Sequence, residues 1–164
     1  MSFAIFGWAM RIFFDVDYTI LGSDYSLRPR THETFERLVD DGHEIHIWSG
    51  EGLRHGVLKN HELAHFVSGV YEKPIHDYVA RLNELSVDVI PDFVIDDYSE
   101  IVTVFGGYYV TEYYRHREDD TEMDSIYECI TEWADSGSST SRRWRPRHDE
   151  FDDVLREARA SWGT

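Results

Sequence analysis

The 164-residue sequence has one cysteine, four prolines, two lysines and no apolar run near membrane-spanning length. Each shortage excludes something. Cys129 alone can neither close an intrachain disulfide nor furnish a thiolate zinc cluster, so a disulfide-stapled fold is ruled out and a reducing, cytoplasmic setting is expected. A membrane helix needs about 20 apolar residues. The nearest stretch, residues 2–10, falls far short and has neither a basic leader nor a small-residue cleavage site, so no membrane partner is expected. Residues 1–9 read as an N-terminal extension, because the first core-like segment is 11–14. Positive charge is scarce as well. With 16 basic and 32 acidic residues the net charge is −16, which disfavours non-specific binding to nucleic acid or anionic membranes, whose phosphates would be repelled. That acidity leaves room for phosphate chemistry at a site where a cation neutralises it.

What is present is a core: 41% hydrophobic and 15% aromatic residues suit one globular domain. Through residue 110, short apolar runs alternate with amphipathic stretches, the pattern of a parallel sheet covered by helices. Strands are expected at 10–16, 43–48, 66–71, 93–96 and 101–105, with a companion at 108–112. Helices are expected at 30–41, stopped by Gly42, at 52–65, and at 75–85 after Pro74. The order predicts an α/β, Rossmann-like three-layer sandwich with a mostly parallel sheet, in a domain spanning 10–135. Beyond it, a helix is expected at 123–134. A Gly/Ser-rich run then opens a flexible linker, 136–148, which carries the one basic cluster, Arg142, Arg143, Arg145 and Arg147 around Trp144. A helix at 149–161 fills the C-terminal segment, 149–164.

The strongest local signal is the segment 11–20, RIFFDVDYTI, an apolar strand that delivers Asp15 and Asp17 at its carboxyl end, with Thr19 just beyond. In open α/β sheets, ligands bind at that end. Two acids spaced i, i+2 there can converge on one small volume, which is costly unless a cation neutralises them or one keeps its proton. The spacing therefore points to a Mg²⁺ site or to an acid/base pair. A second strand, 93–97, FVIDD, repeats the pattern with Asp96 and Asp97. Hard divalent cations prefer such oxygen donors. Between the pairs, Ser49-Gly50 ends a third strand and Lys73 follows a fourth, each suited to holding a phosphate oxygen.

In order and spacing, Asp15-Val-Asp17-Tyr-Thr19, then Ser49, then Lys73, then Asp96-Asp97 resemble the four motifs of the haloacid dehalogenase-like (HAD) hydrolases, over roughly residues 10–110. The resemblance implies that Asp15 is a nucleophile forming an aspartyl-phosphate and that Asp17 is the general acid/base. It implies Mg²⁺ held by Asp15, the backbone carbonyl of Asp17, and Asp97 first or Asp96 second, with Thr19, Ser49, Gly50 and Lys73 around the phosphoryl group. Dehalogenases of the superfamily lack an acid two residues after the nucleophile, so Asp17 favours phosphatase chemistry. Tyr18, where many phosphatases carry glycine, is a departure that narrows the mouth of the site.

The intervals between motifs, 20–48 and 50–72, are filled by one helix and one strand each, which leaves no room for the cap domain many members carry. An open site suits a phosphate on a macromolecule, or a small substrate covered by a second subunit of a homo-oligomer or by the arginine-bearing tail, although those arginines read first as a solvated linker. A phosphorylated metabolite or nucleotide is favoured over a nucleic-acid end on charge. A non-catalytic binding protein on the same fold is one alternative. Another is a zinc metalloprotease, since His61-Glu62-Leu63-Ala64-His65 matches the His-Glu-x-x-His pattern. That match lacks the glycine of the extended form, and its histidines read as a solvated helix face. Glu100 reads as an outer acid, and Tyr108, Tyr109, Tyr113 and Tyr114 as an alternating edge strand rather than a substrate platform.

Overall fold

The computed structural model describes residues 9–162, so the extension expected at 1–9 lies outside the described residues except for Ala9. Six strands form one sheet: β1 Arg11–Asp15, β2 Glu44–Ser49, β3 Val67–Glu72, β4 Phe93–Asp96, β5 Gly107–Tyr109 and β6 Trp144–Arg145. Their spatial order is β3-β2-β1-β4-β5-β6. The first five are parallel, and β6 runs antiparallel against β5. This is the expected α/β architecture, with a mostly parallel sheet between two helical layers.

The apolar run of β1 is continuous because the strand is covered on both faces. Ile12 and Phe14 pack with Phe35, Leu38, Ile126 and Ile130, which come from α1 (Thr31–Asp40) and α5 (Glu122–Ser136). Phe13 points the other way, toward Ile101, Phe105 and Leu155 of α4 (Ser99–Phe105) and α6 (Asp149–Trp162). Helix α1 forms because Thr31, Thr34, Phe35 and Leu38 fall on one buried stripe. It stops at Gly42, whose φ of 91° suits glycine and whose N–H caps the Val39 carbonyl.

Four sequence expectations need correction. Residues 101–105, read as a strand from their β-branched content, form helix α4, with Ile101, Val102, Val104 and Phe105 buried on it. Tertiary packing overrides strand propensity here. The place beside β4 goes to β5, because Gly107 lets the backbones close: a Cβ on it would lie 1.9 Å from the Val94 carbonyl oxygen. The helix expected at 52–65 is only α2, His55–Asn60, followed by a 3-10 turn at Ala64–Phe66, and the one expected at 75–85 is the single turn α3, Tyr78–Arg81. Positive φ at Glu62 and Asp77 breaks both stretches. The segment 136–148 is not all linker, since it contributes β6. Its arginines hold the sheet edge: Arg143 and Arg145 lie 5.4 and 5.8 Å from the Tyr109 ring, and Arg147 Nε donates to the Phe105 carbonyl at 3.2 Å.

No helix among the described residues is long and apolar enough to cross a membrane.

The glycines give a paired test of this packing. Gly107→Ala is expected to destabilise the fold by about 2–4 kcal/mol, since backbone rather than a flexible side chain must yield. Gly56→Ala, within α2 where a Cβ meets nothing within 4 Å, is expected to stabilise by about 0.5–1 kcal/mol. Urea denaturation of the two variants measures both.

Candidate functional site

The sheet order fixes where chemistry can collect. β1 connects toward β2 on one side and β4 toward β5 on the other, so the crevice between the carboxyl ends of β1 and β4 is a switch point. Phe14 pairs with Ile95 across that crevice, and the next residue on each strand is an acid, Asp15 and Asp96. Both are buried, at 3% and 0% exposure. Lys73, one residue past β3, reaches across to both: its Nζ lies 2.9 Å from Asp15 Oδ1 and 2.9 Å from Asp96 Oδ2. The second oxygen of Asp15 accepts from Thr19 Oγ1 at 3.1 Å, and Asp96 Oδ1 accepts from the Tyr98 N–H at 2.9 Å.

Burial first, and the Asp96 charge second, raise the Asp15 pKa well above the usual carboxylate range, while Lys73 opposes the shift. Burial likewise pushes Asp96 up to about 6 against the pull of Lys73. Burial acts to lower Lys73, but the two carboxylates outweigh it and hold its pKa above the ordinary lysine value. Half-buried Asp97 completes the group: Asp15, Asp96 and Asp97 each place one carboxylate oxygen so that all three lie within 4.8 Å of one another. This is the one group of three or more His, Cys, Asp or Glu side chains with such spacing among the described residues.

Asp17 stands apart from that trio. Its carboxylate, 34% exposed, pairs with Arg54, and Ser49 Oγ lies 3.4 Å from the same oxygen. Ser49 is placed by its own turn, where its hydroxyl accepts the Glu51 N–H at 3.1 Å and its carbonyl accepts the Lys73 N–H at 2.9 Å. Exposed Gly50 follows, close under Ile75: a Cβ there would meet Ile75 Cγ2 at 3.1 Å. The structure thus gathers Asp15, Thr19, Ser49, Lys73, Asp96 and Asp97 at the sheet's carboxyl end with Asp17 beside them. Thr19 is fully buried and spends its hydroxyl on Asp15, which makes it a positioning group rather than an open phosphate contact.

Two residues were missed in the sequence. Arg54 pairs with Asp17, and its signal was weak: a lone cation five residues after Ser49 in a loop read as helix. Arg28, 2% exposed, bonds Asp120 at 3.0 Å and the carbonyls of Thr19 and Thr111 at 3.1 and 2.8 Å, tying the loop after β1 to the chain after β5. Its partner lies 92 positions away, so no local pattern marks it. The His61 to His65 motif does not sit on a helix, because α2 ends at Asn60 and Glu62 has φ 55°. The helical i, i+4 geometry that would aim both rings at one metal is absent.

Comparison with family models, with curated proteins and with solved structures returned no match.

Two measurements probe the buried charges. Lys73→Met leaves two buried acids without their cation, and is expected to cost about 3 kcal/mol at pH 7.5. The cost shrinks at pH 5, because the raised acids can take up protons instead. Urea melts at the two pH values read this out. Asp15, Asp96 and Asp97 could hold a divalent cation, which would have to displace the proton that Asp96 keeps below about 6. Binding of added Mg²⁺ to the purified chain, followed by calorimetry, would then weaken as pH drops from 7 to 5, with proton uptake by the buffer.

Proposed function

We propose that the protein is a Mg²⁺-dependent phosphohydrolase that cleaves phosphate monoesters through an aspartyl-phosphate on Asp15. The single observation that carries the reading is the Asp15, Asp96, Asp97 cluster with Lys73 bridging two of its members, at the switch point of a parallel sheet. Its four segments fall in the order and spacing of the HAD motifs, and neither interval between the early motifs holds more than short helices and a strand, which fits a member without a large cap.

The donor set fits the metal this reading requires. All three candidate ligands are carboxylates, the donors a hard divalent ion prefers, and when ionised they outnumber the one cation, Lys73, that bridges two of them. Asp15, Asp96 and Asp97 would hold the ion. When bound, it supplies neutralisation of the repulsion between an anionic nucleophile and an anionic phosphate.

The chain's own residues do the rest. Asp15, held by Thr19 on one oxygen, attacks phosphorus in line, and the phosphorus–alkoxide bond breaks. Asp17 gives its proton to the departing alkoxide, then takes one from the water that attacks the aspartyl-phosphate. Lys73 Nζ, after yielding a carboxylate contact, donates to a phosphoryl oxygen, joined by the Ser49 hydroxyl and the Gly50 N–H. Arg54 keeps Asp17 oriented between the two steps. The single thiol is consistent with the reducing, cytoplasmic setting the reading assumes.

A purified, folded chain is expected to release inorganic phosphate from benzyl phosphate only with Mg²⁺. Asp15→Asn should lower kcat at least about 10³-fold, as loss of a nucleophile does. Asp17→Asn should trap phosphate on the protein, seen as a mass gain of one phosphoryl group. Wild-type protein that binds Mg²⁺ and leaves every phosphate ester intact would instead make this a binding protein on the same fold.

A further inference from the structure

Exposed apolar side chains crowd one end of the molecule. Each loop that follows one of the five parallel strands carries one: Tyr18 after β1, Leu53 after β2, Ile75 after β3, Tyr98 after β4 and Tyr114 after β5. Ile75 and Tyr98 are 62% and 54% exposed. These loops lie at the same end of the sheet as the acidic cluster, so exposed aromatic and aliphatic side chains stand around the site among charged ones such as Glu51 and Asp77.

The rim deepens at one place. Lys73, Pro74, Ile75, Tyr78, Tyr98 and Ile101 line a cleft of about 320 Å³, near the lower end of the size that small-ligand pockets reach. The Tyr78 ring is fixed by its hydroxyl, which donates to Glu100 at 3.1 Å. Two tyrosines and an isoleucine make walls suited to a flat apolar group. Lys73 belongs both to this cleft and to the carboxylate cluster, its Nζ 2.9 Å from Asp15 Oδ1, so one side chain joins the cleft to the proposed nucleophile.

Charge narrows the occupant. Lys73 is the one cation among the cleft's lining residues, and the Glu100 carboxylate lies just behind Tyr78. A single phosphate can sit against Lys73, but a second phosphate in the cleft would find no cation of its own and would face that carboxylate. An oligonucleotide end or a nucleoside diphosphate is poorly matched, and an uncharged aromatic group is well matched.

Resting on the phosphohydrolase reading, we propose that the cleft between Ile75, Tyr78 and Tyr98 binds an uncharged aromatic group on the alcohol side of the phosphate ester. Ile75 and Tyr98 are its specificity-determining residues: they touch the alcohol portion, while the groups around Asp15 touch the phosphate.

The test compares benzyl phosphate with ethyl phosphate, whose alcohols have similar leaving tendency, using the full chain with Mg²⁺. Wild-type protein is expected to favour benzyl phosphate in kcat/KM by roughly tenfold or more. Ile75→Ala and Tyr98→Ala should each cut that ratio to roughly threefold or less, chiefly through a higher KM for the benzyl ester, whereas Tyr98→Phe should keep it. The ratio within each variant is the readout, so a general loss of activity cancels. Both side chains are exposed, and Tyr98 meets Asp96 through its backbone N–H, so the substitutions leave the core and that bond in place. Equal kcat/KM for the two esters in wild-type protein, or a ratio preserved in both alanine variants, overturns the proposal while leaving the phosphohydrolase reading standing. No hydrolysis of either ester by the folded chain overturns both.

Discussion

Two carboxylates buried side by side are the constraint on which this molecule turns. Asp15 and Asp96 end neighbouring parallel strands, and neither is reached by bulk water to any extent. Left alone, such a pair would have to protonate or pull the strand ends apart. Lys73 works against both, although burial still leaves the two acids raised. Its ammonium bridges both acids from the end of a third strand, so one side chain ties β3 to β1 and β4 across the intervening β2. The bridge serves the fold and, in the proposed reaction, poises the site, because a cation held between two acids can be drawn toward an incoming phosphate.

The rest of the fold supplies what that bridge needs. The acids are adjacent because β4 returns beside β1 after the chain has laid down β2 and β3 on the far side. β4 is held in turn by β5, whose Gly107 permits an approach that any side chain would block. Behind β5, residues Trp144–Arg145 add an antiparallel edge, with two guanidinium groups resting on Tyr109. On the mouth side, buried Arg28 joins the Thr19 and Thr111 carbonyls, which keeps Thr19 in place to hold the second oxygen of Asp15. Stability and site geometry thus share their contacts, so substitutions far from the acids, at Arg28 or Gly107, act on the site through the backbone.

The sequence was most legible where burial and chemistry coincide. An apolar run ending in Asp marks a central strand that meets solvent at its carboxyl end, and both runs that do so, at Asp15 and Asp96, proved to be neighbouring strands. Lys73 stood out because lysine is scarce and this one follows an apolar run. Legibility failed where local propensity and tertiary demand pulled apart. Ile-Val-Thr-Val-Phe at 101–105 carries strand propensity, yet the sheet position went to Gly107–Tyr109, at the start of the segment 108–112 expected only as a companion strand. Histidines four apart at 61 and 65 imitate a metal motif, and only the backbone at Glu62, with φ 55°, reveals that no helix aligns them. Partners distant in sequence leave no local trace, as Arg28 with Asp120, or only a faint one, as Arg54 with Asp17.

Charge balance at the mouth links the remaining pieces. Four carboxylates, those of Asp15, Asp17, Asp96 and Asp97, meet two cations, Lys73 and Arg54. Fully ionised, the site would carry two excess negative charges, in a protein whose net charge is already −16. A phosphate monoester, itself anionic, could not approach such a site closely, since two unit charges at 4 Å interact by about 1 kcal/mol even in water and by about 4 in a typical protein environment. Protonation is one remedy, and the raised Asp15 and Asp96 show the chain leaning toward it, but a protonated Asp15 is no nucleophile. A divalent cation is the other remedy: in the proposed reaction it would offset the charge of the Asp15, Asp96, Asp97 trio and leave Asp15 ionised. In the proposed reaction, with Lys73 and Arg54 taken up by the acids and the phosphate, binding energy for the rest of the substrate would come from contact with uncharged surface, which this chain offers at Ile75 and Tyr98.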